Sequence, residues 1–250
     1  MAVAGRVEGR LAVVTGAAGG LGQVFCASLA QQGARIVGVD IADQSATAAA
    51  VEAAGSEYVA LELDITDESQ CASMARTVQE GHGGAAIVVN NAGTFPVIPF
   101  AETTLDQWRA IHRLNVEGSF LVTRSLAPQL IAAGWGRIVF IASGAVWLGP
   151  PGMVAYTASK GALIGMMRAL ASELGGSGVT VNAITPGLTR THTALTTAVR
   201  DQFDHVVSVQ SIPRAEEPED LASALLFLCD EGSGFVTGQA INVDGGAAKH

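Results

Sequence analysis

Seven short runs, Leu11–Thr15, Arg35–Val39, Tyr58–Leu63, Ile87–Asn90, Ile138–Ala142, Val179–Ile184 and Ala240–Val243, alternate with longer stretches of helical periodicity. Most of these runs are apolar at successive positions, so a sheet built from them must be covered on both faces. Strand and helix in alternation, with both faces covered, give a parallel, doubly wound α/β sheet. Helices are expected near 21–32, 44–54, 67–80, 103–133, 155–174 and 217–230. Gly33 suits the end of the first helix. Pro218 with Glu216, Glu217, Glu219 and Asp220 suits the start of the last, so that acidic run reads as helix-start electrostatics.

A length of 250 residues, 49% of them apolar, fits one domain spanning 1–250 with a full core. A formal charge of −9 leaves no basic stripe, which argues against nucleic acid and anionic membranes as partners. Cys26, Cys71 and Cys229 are odd in number and sit among apolar residues, so buried free thiols in a reducing compartment are expected. The histidines have no metal-ligand spacing, and no metal is expected. The most apolar stretch is broken by Pro150, Pro151, Lys160 and several glycines, and the start of the chain lacks a signal-type apolar run. A soluble, cytoplasmic protein is expected.

Directly after the first run comes Thr15-Gly16-Ala17-Ala18-Gly19-Gly20-Leu21-Gly22, which then opens a helix. Glycines there let backbone amides and a helix N-terminus approach a pyrophosphate closely. The second run ends at Asp40, where a carboxylate can accept hydrogen bonds from both adenosine ribose hydroxyls and would repel a 2′-phosphate. No basic residue follows in Ile41-Ala42, so NAD is expected rather than NADP. The spacing Gly-x-x-x-Gly-x-Gly is not the usual Gly-x-Gly-x-x-Gly Rossmann fingerprint, but strand, glycine turn and helix follow in the order of a Rossmann-type sheet.

The chain has only two tyrosines. One of them, Tyr156, stands four residues before Lys160, which places both on one face of a helix. A phenol with an ordinary pKa near 10 must be brought down by about 4 kcal/mol to exchange a proton at neutral pH. An adjacent ammonium and a positive nicotinamide ring act in that direction.

With these residues assembled, the chain resembles the short-chain dehydrogenase/reductase family over nearly its whole length. Five motifs carry the resemblance, in order: Thr15-Gly16-x-x-x-Gly20-x-Gly22, Asn90-Asn91-Ala92-Gly93, Ser143, Tyr156-x-x-x-Lys160 and Pro186-Gly187. The resemblance implies Asn115, Ser143, Tyr156 and Lys160 as a catalytic tetrad. It also implies that Gly16, Gly19, Gly20, Leu21, Gly22, Asp40, Ile41, Asp64, Ile65, Asn91, Ala92, Gly93, Pro186, Gly187, Thr189 and Thr191, with Tyr156 and Lys160, surround the dinucleotide. Plain structural roles stay open for some: Asn90 and Asn91 can tie the sheet together, Asp64 can end a strand, and Asn115 can bend its helix. Ser143 would orient the substrate oxygen, Lys160 would hold the nicotinamide ribose, and Asn115 would hold a water linking Lys160 to solvent. A homotetramer is implied, with helices 103–133 and 155–174 at one interface and the last helix and strand at another. Gly161, Ala162, Gly165, Ala169 and Ala171 leave room for close helix approach.

Phe95, Val97, Ala145, Trp147, Met153 and Leu188 flank the motifs and suggest an apolar substrate wall, with 190–212 as a lid. Trp147 and Met153 equally suit ordinary packing. His192 on the lid and His250 at the end are open to either substrate contact or the surface. A small hydrophobic secondary alcohol and its ketone are therefore the expected substrates. Within the family, Asn91-Ala-Gly-Thr-Phe-Pro-Val-Ile-Pro-Phe100, Gly134-Trp-Gly-Arg-Ile138 and the Asp244-Gly-Gly end look like NAD-dependent aryl-alcohol (phenylethanol-type) and pyridoxal-type dehydrogenases. Two alternatives remain: a 3-oxoacyl-acyl-carrier-protein reductase using NADPH, and a non-catalytic NAD-binding sensor or scaffold.

Overall fold

The computed structural model describes residues 7–249, so His250 lies outside the described residues. The chain runs β1 Leu11–Thr15, α1 Gly20–Gln31, β2 Arg35–Asp40, α2 Ser45–Ala53, β3 Tyr58–Glu62, α3 Glu68–His82 and β4 Ile87–Asn90. It continues with α4 Leu105–His112, α5 Ser119–Ala133, β5 Gly136–Ile141, α6 Ala145–Leu148, α7 Val154–Leu174 and β6 Val179–Pro186. It ends with α8 His192–Thr196, α9 Phe203–Val209, α10 Glu219–Cys229 and β7 Ala240–Val243.

All the strands pair in parallel in the order β3-β2-β1-β4-β5-β6-β7. The chain therefore starts at the middle of the sheet, winds out to β3, returns to β4 and winds the other way. Loops leaving β1 and β4 diverge at that reversal and open a crevice beyond their C-terminal ends. Successive side chains of a strand serve opposite layers. Leu11 and Val13 pack on the side of α3, α5 and α7, with Met74, Leu126 and Met167. Ala12 and Val14 pack on the side of α1, α2 and α10, with Phe25, Val51 and Leu225. Such burial contributes about 1.5–3 kcal/mol for each large apolar side chain.

The continuous helix expected over 103–133 is in fact three segments. α4 and α5 are joined by wider, π-helical turns at Arg113–Gly118. Tertiary contacts select these turns, because the Asn115 side chain is engaged by Thr94 and the Ile65 side chain fills the place that a Cβ on Gly118 would occupy. The lid contains α8, a turn at Ala198–Gln202 and α9. On α7, Ala171 is packed in the core, whereas Ala162, Gly165 and Ala169 are exposed. The cysteines are buried and free, and burial pushes Cys26 and Cys229 up to about 12, which leaves them as inert thiols.

Candidate active site

One cavity of about 750 Å³ lies over the C-terminal ends of the central strands. On the nucleotide side it is lined by Gly16, Gly19, Gly20, Leu21, Asp40, Ile41, Asp64, Ile65, Asn91, Ala92 and Gly93. Across from them lie Ser143, Tyr156, Lys160, Pro186, Gly187, Thr189 and Thr191. Of the expected substrate wall, Phe95, Ala145, Met153 and Leu188 line it.

Four of the expected site residues do not line the cavity, each for a local reason. Gly22 is buried, and a Cβ there would overlap the Gly16 carbonyl, so this glycine acts by closing the turn. Asn115 is fully buried behind the wall. Val97 lies against Gly152, with the Ile98 amide donating to the Gly152 carbonyl at 2.7 Å. Trp147 packs on the α7 side of the core, and its indole N–H donates to Thr185 Oγ1 at 3.4 Å. These two therefore support the wall from outside.

The glycine turn is built from both halves of the sheet. Gly16 adopts φ +66°, and a Cβ there would sit 2.9 Å from Ala92 Cα. The Asn91 amide donates to the carbonyls of Thr15 and Gly16 at 2.9 and 3.1 Å. Asp40 Oδ2 accepts from the Ala18 amide and Oδ1 from the Ala42 amide, both at 3.0 Å. Its carboxylate is thus fixed beside the turn while Ile41 points outward, 72% exposed.

Tyr156 and Lys160 lie on α7, with Lys160 Nζ 5.8 Å from the centre of the phenol ring. Phe95 meets that ring edge-on, at 6.3 Å between centroids. Tyr156 occupies the first turn of α7, where the positive end of the helix dipole favours a phenolate. The desolvation of its surroundings acts the other way and pushes the phenol up to about 12, against a hydrogen bond from Ser143 that lowers it. Burial also brings Lys160 down to about 8. Lys160 Nζ donates to the Ile141 carbonyl at 2.7 Å, which uses one of its three protons. The remaining two are available to an occupant of the cavity. The expected lowering of Tyr156 is therefore not a property of the protein groups alone.

The Asn115 side chain is committed to protein groups. Its Oδ1 accepts from the Thr94 amide at 2.8 Å, and its Nδ2 donates to the Thr94 carbonyl and to Ser159 Oγ, both at 2.9 Å. It ties the loop after β4 to α7.

Glu216 corrects the reading of the acidic run. It is 4% exposed, and its carboxylate accepts from Thr189 Oγ1 at 2.5 Å and from the Gly187 amide at 3.2 Å. Burial pushes it up to about 7, opposed by those two hydrogen bonds. Only its membership of a polar run signalled it, and such runs are usually solvated. The wall also includes Arg113, Leu148, Val199, Gln202, Val206 and Ala247, which no motif marks. Among the described residues, no cluster of three or more His, Cys, Asp or Glu side chains forms a metal site. Among the described residues, no helix is long and apolar enough to cross a membrane.

The chain matches, over residues 16–248, the family described as Enoyl-(Acyl carrier protein) reductase. It is similar to (2S)-[(R)-hydroxy(phenyl)methyl]succinyl-CoA dehydrogenase subunit of Thauera aromatica, 36% identical over 242 residues, covering 96% of this chain and 97% of the relative. It is similar also to 3-oxoacyl-[acyl-carrier-protein] reductase of Thermotoga maritima, 33% identical over 247 residues, covering 96% and 98%. A solved structure of a short chain dehydrogenase from Mycobacterium paratuberculosis bound to NAD superimposes with a TM-score of 0.89 at 33% identity, over 97% of this chain and 99% of that one. A seven-stranded parallel sheet of matching topology and sequence identity at this level over nearly the whole length make the chain a member of the short-chain dehydrogenase/reductase family of oxidoreductases.

Proposed function

We propose that the protein interconverts a small hydrophobic secondary alcohol and its ketone with NAD(H), with Tyr156 as general acid and base. The observation that carries this is that Ser143, Tyr156 and Lys160 line one cavity, with Lys160 Nζ 5.8 Å from the centre of the phenol ring and Arg113 the other cation lining it among the described residues. Phe95, Ala145, Leu148, Met153, Leu188 and Val199 make the wall apolar, which favours an uncharged substrate.

The residues present fit a nicotinamide dinucleotide. The glycine turn brings backbone to the cavity without side chains, and two donors of a buried ammonium lack protein partners among the described residues. When bound, the dinucleotide supplies the hydride acceptor or donor and a positive ring near the phenol. Gly16, Gly19, Gly20 and Leu21 would hold the pyrophosphate, Asp40 the adenosine ribose, and Lys160 the nicotinamide ribose. Ser143 orients the substrate oxygen. Tyr156 takes the hydroxyl proton in oxidation and returns it in reduction. Asn115, its side chain taken up by Thr94 and Ser159, fixes the loop after β4 against α7.

NAD rather than NADP follows from the Asp40 carboxylate, which would face a 2′-phosphate with no cation beside it in the Ile41-Ala42 turn. A homotetramer is part of the proposal, supported by Gly161 and Gly165 of α7, where an added Cβ would meet open space. The likeness to the Thermotoga maritima enzyme favours a second reading, a 3-oxoacyl-acyl-carrier-protein reductase using NADPH.

Initial rates on hydrophobic secondary alcohols and on a carrier-linked 3-oxoacyl substrate, with NAD(H) and NADP(H) side by side, separate the two. The expected result is turnover of the free alcohols with NAD. A preference for NADPH and the carrier-linked substrate overturns it in favour of the second. Tyr156→Phe is expected to lower turnover by about 10²–10⁴-fold with NADH still bound. A functional output indifferent to that change would instead indicate a sensor.

A further inference from the structure

We propose that Gln202 is a specificity-determining residue that hydrogen-bonds a second, uncharged polar group of the substrate, remote from the carbon served by Ser143 and Tyr156. The proposal rests on the alcohol–ketone reading above and deepens it: the substrate is hydrophobic along its length but bifunctional.

Val199, Gln202 and Val206 recur at helical spacing on the Ala198–Gln202 turn and α9, and all three line the cavity. The lid therefore presents one carboxamide between two valines. That amide is partly buried and has no hydrogen-bond partner among the described residues. The neighbouring polar groups of the lid are already used or lie elsewhere. Thr191 Oγ1 caps α8 by accepting from the Ala194 amide at 3.2 Å. A Cβ on Gly20 would touch Thr191 Cβ at 3.1 Å, so Thr191, with nearby Thr193, stands over the glycine turn.

The Gln202 side of the lid is held in place from the opposite direction. Just after α9, the amides of Ser211 and Ile212 donate to the Gly245 carbonyl at 2.8 and 2.9 Å, and Gln210 Nε2 donates to the Asp244 carbonyl at 3.0 Å. These bonds fasten the lid to the tail that carries Ala247, itself a cavity residue. Gln202 thus lines the cavity on the stretch of lid between Thr191, over the glycine turn, and this fastening to the tail.

A carboxamide both donates and accepts, which suits an ether, hydroxyl, carbonyl or amide group. A carboxylate would call for a cation. The cations lining the cavity are Lys160, within the tetrad, and Arg113, on the turns whose Gly118 packs on Ile65 at the nucleotide side. An unanswered amide in an apolar wall penalises a purely hydrocarbon ligand and rewards one that pairs with it.

The test compares a linear methyl ketone with analogues that carry one ether oxygen three, four or five carbons from the carbonyl. Dissociation constants for protein saturated with NAD, which cannot reduce a ketone, are measured by calorimetry, and turnover with NADH is measured separately. The expected result is that at least one ether ketone binds about fivefold or more tightly than the parent ketone. Gln202→Leu should erase that preference, bringing the ether ketones and the parent ketone within about twofold of one another. Absence of any ether preference in the wild type overturns the proposal. So does a Gln202→Leu variant that weakens both ligands equally, which would assign Gln202 to lid packing. Should the ether preference appear and vanish with Gln202→Leu while no ketone is turned over with either dinucleotide, Gln202 stands and the alcohol–ketone reading fails.

Discussion

The strand β5 carries a buried cation at each end, and the two are held very differently. At its start, Arg137 is 2% exposed, and at its end the Ile141 carbonyl holds Lys160, 5% exposed. Arg137 donates to the Gly136, Asp230 and Glu231 carbonyls at 2.9–3.4 Å, and its guanidinium lies 4.3 Å from the centre of the Trp135 ring. Lys160 makes one hydrogen bond among the described residues. Burial lowers both groups, but a guanidinium starts so high that it stays charged, whereas Lys160 comes down to about 8. A buried cation that makes four hydrogen bonds to fixed backbone carbonyls is a fastening. One with donors left over, at a cavity, is equipped for a ligand or a proton.

Removing each charge should therefore give opposite results. Lys160→Met is expected to lower kcat by about 10²–10⁴-fold while leaving unfolding stability equal or higher, since a poorly compensated buried charge is lost. Arg137→Met removes the guanidinium's bonds to the Gly136, Asp230 and Glu231 carbonyls, the last two of which keep the amides of Ser233 and Gly234, and is expected to lower unfolding free energy by about 1.5–3 kcal/mol, with kcat per folded molecule changed by less than about threefold. Denaturant unfolding and initial rates on both variants measure this. If Lys160→Met destabilised as Arg137→Met does, the distinction between the two ends of β5 would collapse.

The two cations were not equally legible in the sequence. Lys160 stood out because its spacing from Tyr156 has a chemical meaning. Arg137 did not, because an arginine before an apolar run reads as a boundary, and β5 was expected to begin only at Ile138. The strands themselves were clear, since a fully covered parallel sheet writes continuous apolar runs. Features decided by distant contacts were not. Nothing local marks the wide turns at Arg113–Gly118, which answer to Thr94 and Ile65. Nor does anything separate Glu216 from its acidic neighbours until Thr189 and Gly187 are seen to close over it. Trp147 and Val97 were drawn into the wall by sequence proximity alone; Ala145 and Met153 on either side of Trp147 do line it.

The same contrast has a pH signature. Lys160 in the folded protein gives up its proton near about 8, against 10.5 in the unfolded chain. Between those values the unfolded chain holds the extra proton, so the contribution of Lys160 to stability rises with pH across that window. Its full extent is about 3 kcal/mol. Other groups titrate there too, so the quantity to follow is the stability difference between wild type and Lys160→Met from pH 7 to 11. The variant's advantage should shrink as pH rises. The difference between wild type and Arg137→Met should stay flat. A flat Lys160→Met difference would mean that Lys160 is solvated well enough to keep its proton, and that its leftover donors already have water as their partner.

The smallest effect probes what stacks on Trp135. Arg10 lies 3.9 Å from the centre of the indole ring and Arg137 4.3 Å, so two guanidinium groups share one aromatic ring. Each gains about 0.5–1 kcal/mol from the ring, and they repel one another, as the lowering of Arg137 by Arg10 records. Arg10 is the more exposed of the two, so its repulsion is screened by water while its stacking is short-ranged. Arg10→Met should therefore cost about 0.5 kcal/mol, leave kcat unchanged, and cost slightly more in high salt, where the repulsion it relieves is already weak. A gain in stability from Arg10→Met at low salt would reverse the order of the two terms. The carbonyls of Gly136, Asp230 and Glu231 would then hold Arg137 against its neighbour, and the aromatic ring would serve mainly to separate the two charges.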